Sequence, residues 1–266
     1  MGISVKSEKE IEIMAEGGRK LRKIKARLKK EVQIGNNAAE IDKLAESEIL
    51  KCGAKPSFKM VRGYSWTTCV NVNAGVVHGI PSKDIVFTKG DLISVDVGIY
   101  YKGFHTDTSF SVGLDLKKGD LNFLECGSLA LKKAILKAKK GNRIYDISEA
   151  IESVLKKNKY SPVKALVGHG VGRELHEEPQ IPCFVAGRKE DSPIIPEGAC
   201  LAIEVMYTSG SGNVAIKNDG WTIVTSDDKI SALFEETVAI TKYGPIILTY
   251  AGLKANFIEI SLFFVV

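Results

Sequence analysis

Residues 91–113, DLISVDVGIYYKGFHTDTSFSVG, decide the fold. They hold two runs rich in Val, Ile, Tyr, Phe and Thr on either side of Lys102-Gly103, the signature of a β-hairpin closed by a tight glycine-containing turn. Asp96 lies inside the first run, which should be buried, and an isolated carboxylate there is heavily penalised unless a partner or a cation meets it. With Lys102-Gly103 as the turn pair, residue 98 faces 107 and residue 96 faces 109. Asp96 and Asp107 then share one face of the sheet as diagonal cross-strand neighbours, roughly 7–8 Å apart at Cα. Two carboxylates so placed repel one another in a dry site but can share cations. Taken alone, the hairpin would equally suit two solvated aspartates.

Three further ligand types lie downstream. Glu204 stands in LAIEVM, again a carboxylate in an apolar strand, and Glu235 and Glu236 stand in ALFEETV, where alternation sends one inward without deciding which. His169 stands in GHGVGRELHEEP, read as a glycine-flanked loop after a strand at Lys164–Val167, where a side chain can reach over the sheet. Four carboxylates and one imidazole form an oxygen-rich set suited to two divalent ions such as Mn, Fe(II), Co or Zn. Two ions a few Å apart lower the pKa of a bridging water, hold the hydroxide and polarise a carbonyl for hydrolysis. His78 (in VVHGIPS) and His176 fall in glycine- or proline-rich loops and read as proton donors beside the ligand set. His105, on the hairpin and near no other candidate, reads as a plain structural residue.

Around this nucleus the chain alternates helices with strands. Ser7 and Glu10 form a capping box for a helix reaching about Glu31, and a second helix runs from Asn37, with Glu40 at N3, to Gly53. A long helix fits Asp120–Lys140, ended by Gly141, and another starts at Asp146 with Glu149 completing its cap. Strands are expected near Leu201–Thr208, Trp221–Thr225 and Ile230–Thr241. Both halves run from helices into a hairpin region, a pseudo-twofold pattern without sequence self-similarity. The class is α+β, a curved antiparallel sheet with helices on its outer face. Residues 1–250 read as one catalytic domain with a short N-terminal helical arm, and 251–266 as an apolar tail of undetermined role.

Composition narrows the classes. The chain has 266 residues, with 26% charged and 44% hydrophobic, which is enough to bury a core and excludes wholesale disorder. Its net charge is +5, and the basic residues concentrate in Arg19–Lys30, RKLRKIKARLKK, where Leu21, Ile24 and Leu28 recur at helical spacing. That stretch reads as a solvated helix face; steering toward the ribosome surface is the sharper alternative. The five cysteines, Cys52, Cys69, Cys126, Cys183 and Cys200, show no CxxC spacing, against a disulfide framework and a cysteine zinc site. The expectation is a cytoplasmic monomer with no membrane contact, since the opening residues lack a signal-peptide core and IEISLFFVV is too short to span.

The motifs VNAGVVHGIPS, DVGIYYKGFHTDTS, GHGVGRELHEEP, AIEVM and DGWTIVTSDDKISALFEET together resemble the type I methionine aminopeptidases, enzymes of the pita-bread fold in peptidase family M24. The resemblance runs from the first helix to about Thr249. It implies removal of the initiator methionine from nascent polypeptides with a small second residue. It also implies two divalent ions (Co, Mn, Fe(II), Zn or Ni) on Asp96, Asp107, His169, Glu204 and Glu235, with Asp107 and Glu235 bridging, and so favours Glu235 over Glu236. It implies that His78 meets the scissile amide, His176 the carbonyl oxygen, and that Glu204 also helps proton transfer. Tyr64, Cys69 and Trp221 would line the methionine pocket. Val61 and Leu175 depart from the family's usual aromatics there. The alternatives are a proline-type aminopeptidase or prolidase, which would carry a further N-terminal domain, and a metal-free member of the fold acting as a ribosome-binding module.

Overall fold

The computed structural model describes residues 2–250. Helices α1 (Glu8–Glu31) and α2 (Ala38–Lys51) come first, each opened by a full capping box, Ser7 with Glu10 and Asn37 with Glu40. Short strands β1 (Lys55–Pro56), β2 (Thr68–Val72) and β3 (Gly75–Val77) lead into the hairpin β4 (Leu92–Tyr101) and β5 (Phe104–Gly113). Helices α3 (Lys118–Lys137) and α4 (Ile144–Lys157) follow, then β6 (Ser161–Pro162), β7 (Val167–Gly170) and β8 (Glu177–Pro182). The chain continues through β9 (Cys200–Thr208), β10 (Val214–Ile216), β11 (Ile223–Thr225), β12 (Ser231–Thr241) and β13 (Gly244–Ile247).

The main sheet runs β1-β4-β5-β12-β9-β7-β8, with β2 also on β4, β6 on β9 and β13 on β12. A smaller sheet, β10-β11-β3, stands beside it. Alternation divides the two faces of the main sheet. Ile93, Val95, Val97 and Ile99 of β4 face one way and bury with Leu21, Ile24 and Leu28 of α1 and Ile41, Ala45 and Ile49 of α2. Leu201, Ile203, Val205 and Tyr207 of β9 bury likewise against Phe123, Ala130 and Ala134 of α3 and Ile147 and Ile151 of α4. Two helix pairs therefore cover the outer face, one per half, and the inner face is left to the polar residues of the alternation.

Several expected boundaries shift. The strand expected at Lys164–Val167 is β7, three residues later, because His169 pairs with Ala202 of β9. His169 is thus a strand residue rather than a loop residue. The third helix starts at Lys118 and stops at Lys137, before the Gly141 turn. In α4, Asp146 is not the cap but the N3 residue: its Oδ2 accepts from the Arg143 amide at 2.8 Å. The opening helix lies against the sheet, as its amphipathic pattern requires. Of its basic residues, Lys25 pairs with Glu236 at 2.8 Å and Arg27 with Glu48 at 2.8 Å, while Arg19, Lys23, Lys29 and Lys30 are exposed. Among the described residues no helix is long and apolar enough to cross a membrane. The tail at 251–266 lies outside the described residues.

Candidate metal centre

The β4–β5 register is the one the turn demands: Gly98 faces Asp107 and Asp96 faces Ser109. Continued across the sheet, it sets up two rows on the inner face. In the first, Cys69 opposes Asp96, Asp96 opposes Ser109, Ser109 opposes Glu235 and Glu235 opposes Glu204. In the second, two residues along each strand and so on the same face, Gly98 opposes Asp107 and Ala202 opposes His169. Thr237 closes that row: its Oγ1 accepts from the Asp107 amide at 2.9 Å and donates to the Asp107 carbonyl at 2.8 Å. A Cβ on Gly98 would stand 3.0 Å from Ser57 Cβ and 3.2 Å from Asp107 Oδ1, so the absent side chain leaves Asp107 its room.

The five expected ligands thus come from β4, β5, β7, β9 and β12 onto one face. Ligand atoms of Asp107, His169 and Glu235, all buried, lie within 4.8 Å of one another. Asp96 and Glu204 flank them, close enough that Asp107 raises the pKa of each. Burial drives all four carboxylates up, Asp107 to about 7 and Asp96, Glu204 and Glu235 well above the usual range, with mutual repulsion adding to the last three. Asp96 Oδ1 is buried and has no hydrogen-bond partner among the described residues. A set of buried carboxylates with an orphaned oxygen fits divalent cations, which would remove both the repulsion and the missing partner. The His169 Nδ1–H donates to the Gly170 carbonyl at 2.9 Å, which leaves Nε2 with its lone pair for a metal, and burial lowers its pKa to about 4.

The strand also resolves the glutamate pair. Glu235 faces the ligand row, whereas Glu236 faces the helices, where Lys25 Nζ, Thr108 Oγ1 and Thr249 Oγ1 meet it. Alternation alone could not separate them because both are buried.

An apolar cluster adjoins the carboxylates through Cys69. Phe58, Tyr64, Cys69 and Leu175 are buried together, with Val61, Trp66 and Trp221 packed against them. The Tyr64 hydroxyl donates to the Thr68 carbonyl at 2.9 Å and to Cys69 Sγ at 3.2 Å, and its ring meets Trp221 edge-on at 5.1 Å. Phe58 was not foreseen, since PSFKM carries no periodic signal. His78, in the left-handed region at φ 57°, sets its ring 6.4 Å from Trp221. His176 stands 4.5 Å from the His169 ring and opens onto a cleft of about 300 Å³ lined by Ser57, Met60, Val61, His105, Glu174 and Leu175. Desolvation lowers the pKa of His78 and His176, so both are neutral at pH 7. His105 is a correction: far from standing apart, it is buried in that cleft wall, with Nδ1 2.8 Å from Ser57 Oγ.

Residues 12–242 match the profile of metallopeptidase family M24. A methionine aminopeptidase of Clostridium perfringens is 40% identical over 93% of this chain and 98% of its own. The crystal structure of the Thermotoga maritima methionine aminopeptidase superposes with a TM-score of 0.90 at 38% identity, covering 93% of this chain and 99% of that one. The prolidase of Pyrococcus furiosus shares the fold at a TM-score of 0.75 and 23% identity, but this chain spans only 66% of it. With five candidate ligand side chains gathered on one sheet face and relatives of this extent and identity, the chain belongs to metallopeptidase family M24, alongside its bacterial methionine aminopeptidases.

Proposed function

We propose that this chain is a methionine aminopeptidase that hydrolyses the bond after the initiator methionine of nascent polypeptides with a small second residue, and that residues 1–250 form its one catalytic domain. The observation that carries the reading is the junction of the inner-face candidate ligand rows with a buried aromatic and thiol cluster through the single step Cys69–Asp96. Asp96, Asp107, His169, Glu204 and Glu235 would hold two divalent ions, with Asp107 and Glu235, near the middle of the set, shared between them. Those ions supply a Lewis acid for the peptide carbonyl and a water made acidic enough to attack at neutral pH. The pocket of Tyr64, Cys69 and Trp221 suits a thioether, which gains from soft and aromatic neighbours. Neutral His78 and His176 would both reach the reacting bond, His78 to meet the amide nitrogen and His176 to donate to the carbonyl oxygen as charge builds on it. Glu204, which flanks the central ligands, would also help to carry a proton toward the leaving amine. The exposed Arg19, Lys23, Lys29 and Lys30 of α1 are the residues we assign to a contact with the ribosome surface.

Protein stripped of metal and reloaded with single ions (Co, Mn, Fe(II), Zn or Ni) should cleave Met-Ala peptides and leave Pro-Ala peptides intact. Met-Gly, Met-Ala and Met-Ser should be turned over at least about 10-fold faster than Met-Leu or Met-Lys, since a single extra methylene already allows about that discrimination. Equal rates across that series would show that Val61 and Leu175 have opened the cleft to larger second residues. Cleavage of Pro-Ala with none of Met-Ala would overturn the reading in favour of the proline-type relatives.

A further inference from the structure

The loop that carries His176 is tied down from outside the site. Residues 172–177 lead from β7 into β8, and both ends of the loop are held by the segment that precedes and opens α1. At one end Arg173 is ion-paired to Glu10 and lays its guanidinium over the Phe104 ring. At the other, Lys6 Nζ meets Glu177 Oε2 at 2.5 Å, with side-chain exposures of 1% and 10%. Lys6 is itself anchored: its amide donates to the Gly198 carbonyl at 2.8 Å, and its neighbour Val5 bridges to Ala199 at the start of β9. Glu177 also accepts from the Glu174 amide at 3.2 Å, and Gly172 donates to the Glu174 carbonyl at 3.1 Å, so the loop closes on itself around the ion pair. A Cβ on Gly172 would stand 2.3 Å from Lys6 Cε, so the loop backbone rests directly on the lysine stem. His176 is the residue immediately before Glu177.

We propose that Lys6 is a positioning residue for the reaction, its buried ion pair with Glu177 setting where His176 points. This rests on the role given to His176 above. Paired charges withdrawn from water tolerate little change, because removing one strands the other. The loop therefore follows the lysine. A displacement of about 1 Å in a group that meets the developing charge costs about 10²-fold in rate. The same ion pair acting only as a brace would lower the melting temperature and leave kcat where it was.

The test uses the metal-loaded full chain and the variants Lys6→Met, Lys6→Arg, His176→Ala and Lys6→Met/His176→Ala on a Met-Ala peptide. Lys6→Met should lower kcat about 10- to 100-fold with KM changed by less than about threefold and metal content unchanged. Lys6→Arg, which keeps the cation, should recover most of that loss. In the His176→Ala background, Lys6→Met should have no further effect on kcat, and amide hydrogen exchange at 172–177 should quicken in Lys6→Met. Wild-type kcat in Lys6→Met, or the same factor lost again in the His176→Ala background, would overturn the proposal. Should Lys6→Met not fold, Lys6→Met/Glu177→Gln removes the stranded charge and is read in the same way. If wild type cleaves no Met-Ala peptide, the functional reading fails by itself; unchanged exchange at 172–177 in Lys6→Met then separately overturns the clasp.

Discussion

A carboxylate in the middle of an apolar strand stays there only for what it binds, and Asp96 and Glu204 each occupy such a place. The relation of Asp96 to Asp107 was legible because a two-residue turn leaves one register, and one register settles which side chains share a face. The choice between Glu235 and Glu236 was not legible from alternation, because the second glutamate is buried too, satisfied by Lys25 from the far end of the chain. His105 was misjudged for the same reason: its partner Ser57 and its neighbour His176 are remote in sequence. Of the histidines, His78 offers the cleanest test, since it lies outside the proposed ligand set and its ring stands beside Trp221. His78→Ala should retain both ions by elemental analysis and a near-native melting temperature while kcat falls by about 10²–10⁴, the range for one acid–base or oxyanion group. Loss of an ion would make His78 a ligand, and full kcat would make it a bystander.

At the scale of elements, local signals placed the starts of α1 and α2, missed those of α3 and α4 by two residues and missed that of β7 by three. The capping boxes at Ser7 and Asn37 are local chemistry and stand where the residues put them. By contrast β7 begins where β8 offers it a partner, Val167 opposite Pro182, and continues along β9 from His169, information that no window around residue 165 contains. The pocket depends on one contact of this long-range kind. Asp42 of α2 accepts from the Thr67 amide at 2.9 Å, the Thr68 amide at 2.8 Å and Thr68 Oγ1 at 2.9 Å, holding the start of β2. Thr68 in turn receives the Tyr64 hydroxyl, and Cys69 follows it. Asp42→Ala should therefore cost about 2–3 kcal/mol, as loss of a charged acceptor from buried donors does. It should also raise KM for Met-Ala peptides with metal content unchanged. A stability loss with KM untouched would show that the pocket wall is held by its own packing.

Over the whole molecule, the inner face makes stability depend on pH and on metal together. Without metal, the folded-state pKa values of Asp107, Asp96, Glu204 and Glu235 lie above their unfolded values of about 3.9–4.3, so their contribution is fully present below those values and is lost as pH rises through the folded ones. The histidines act in the opposite direction. With pKa values lowered by burial, they destabilise the fold as pH falls below about 6.5, and above it they are neutral in both states. Between about pH 6.5 and 8 the carboxylates alone should be read: the melting temperature of stripped protein should fall, while that of protein saturated with Mn or Co should hold, because the ions need the carboxylates ionised. A gap between the two that does not widen with pH would mean that the ions sit elsewhere. The ligand rows bear as well on how the chain acquires its metal. The β4–β5 hairpin can form early and locally, but Glu204 and Glu235 join Asp96 and Asp107 only after α3, α4 and β6 to β8, which separate them in sequence, have been placed. An ion meeting the newborn chain finds two carboxylates and little affinity; the full donor set is among the last things the polypeptide assembles, so metallation reports the completion of folding rather than guiding it.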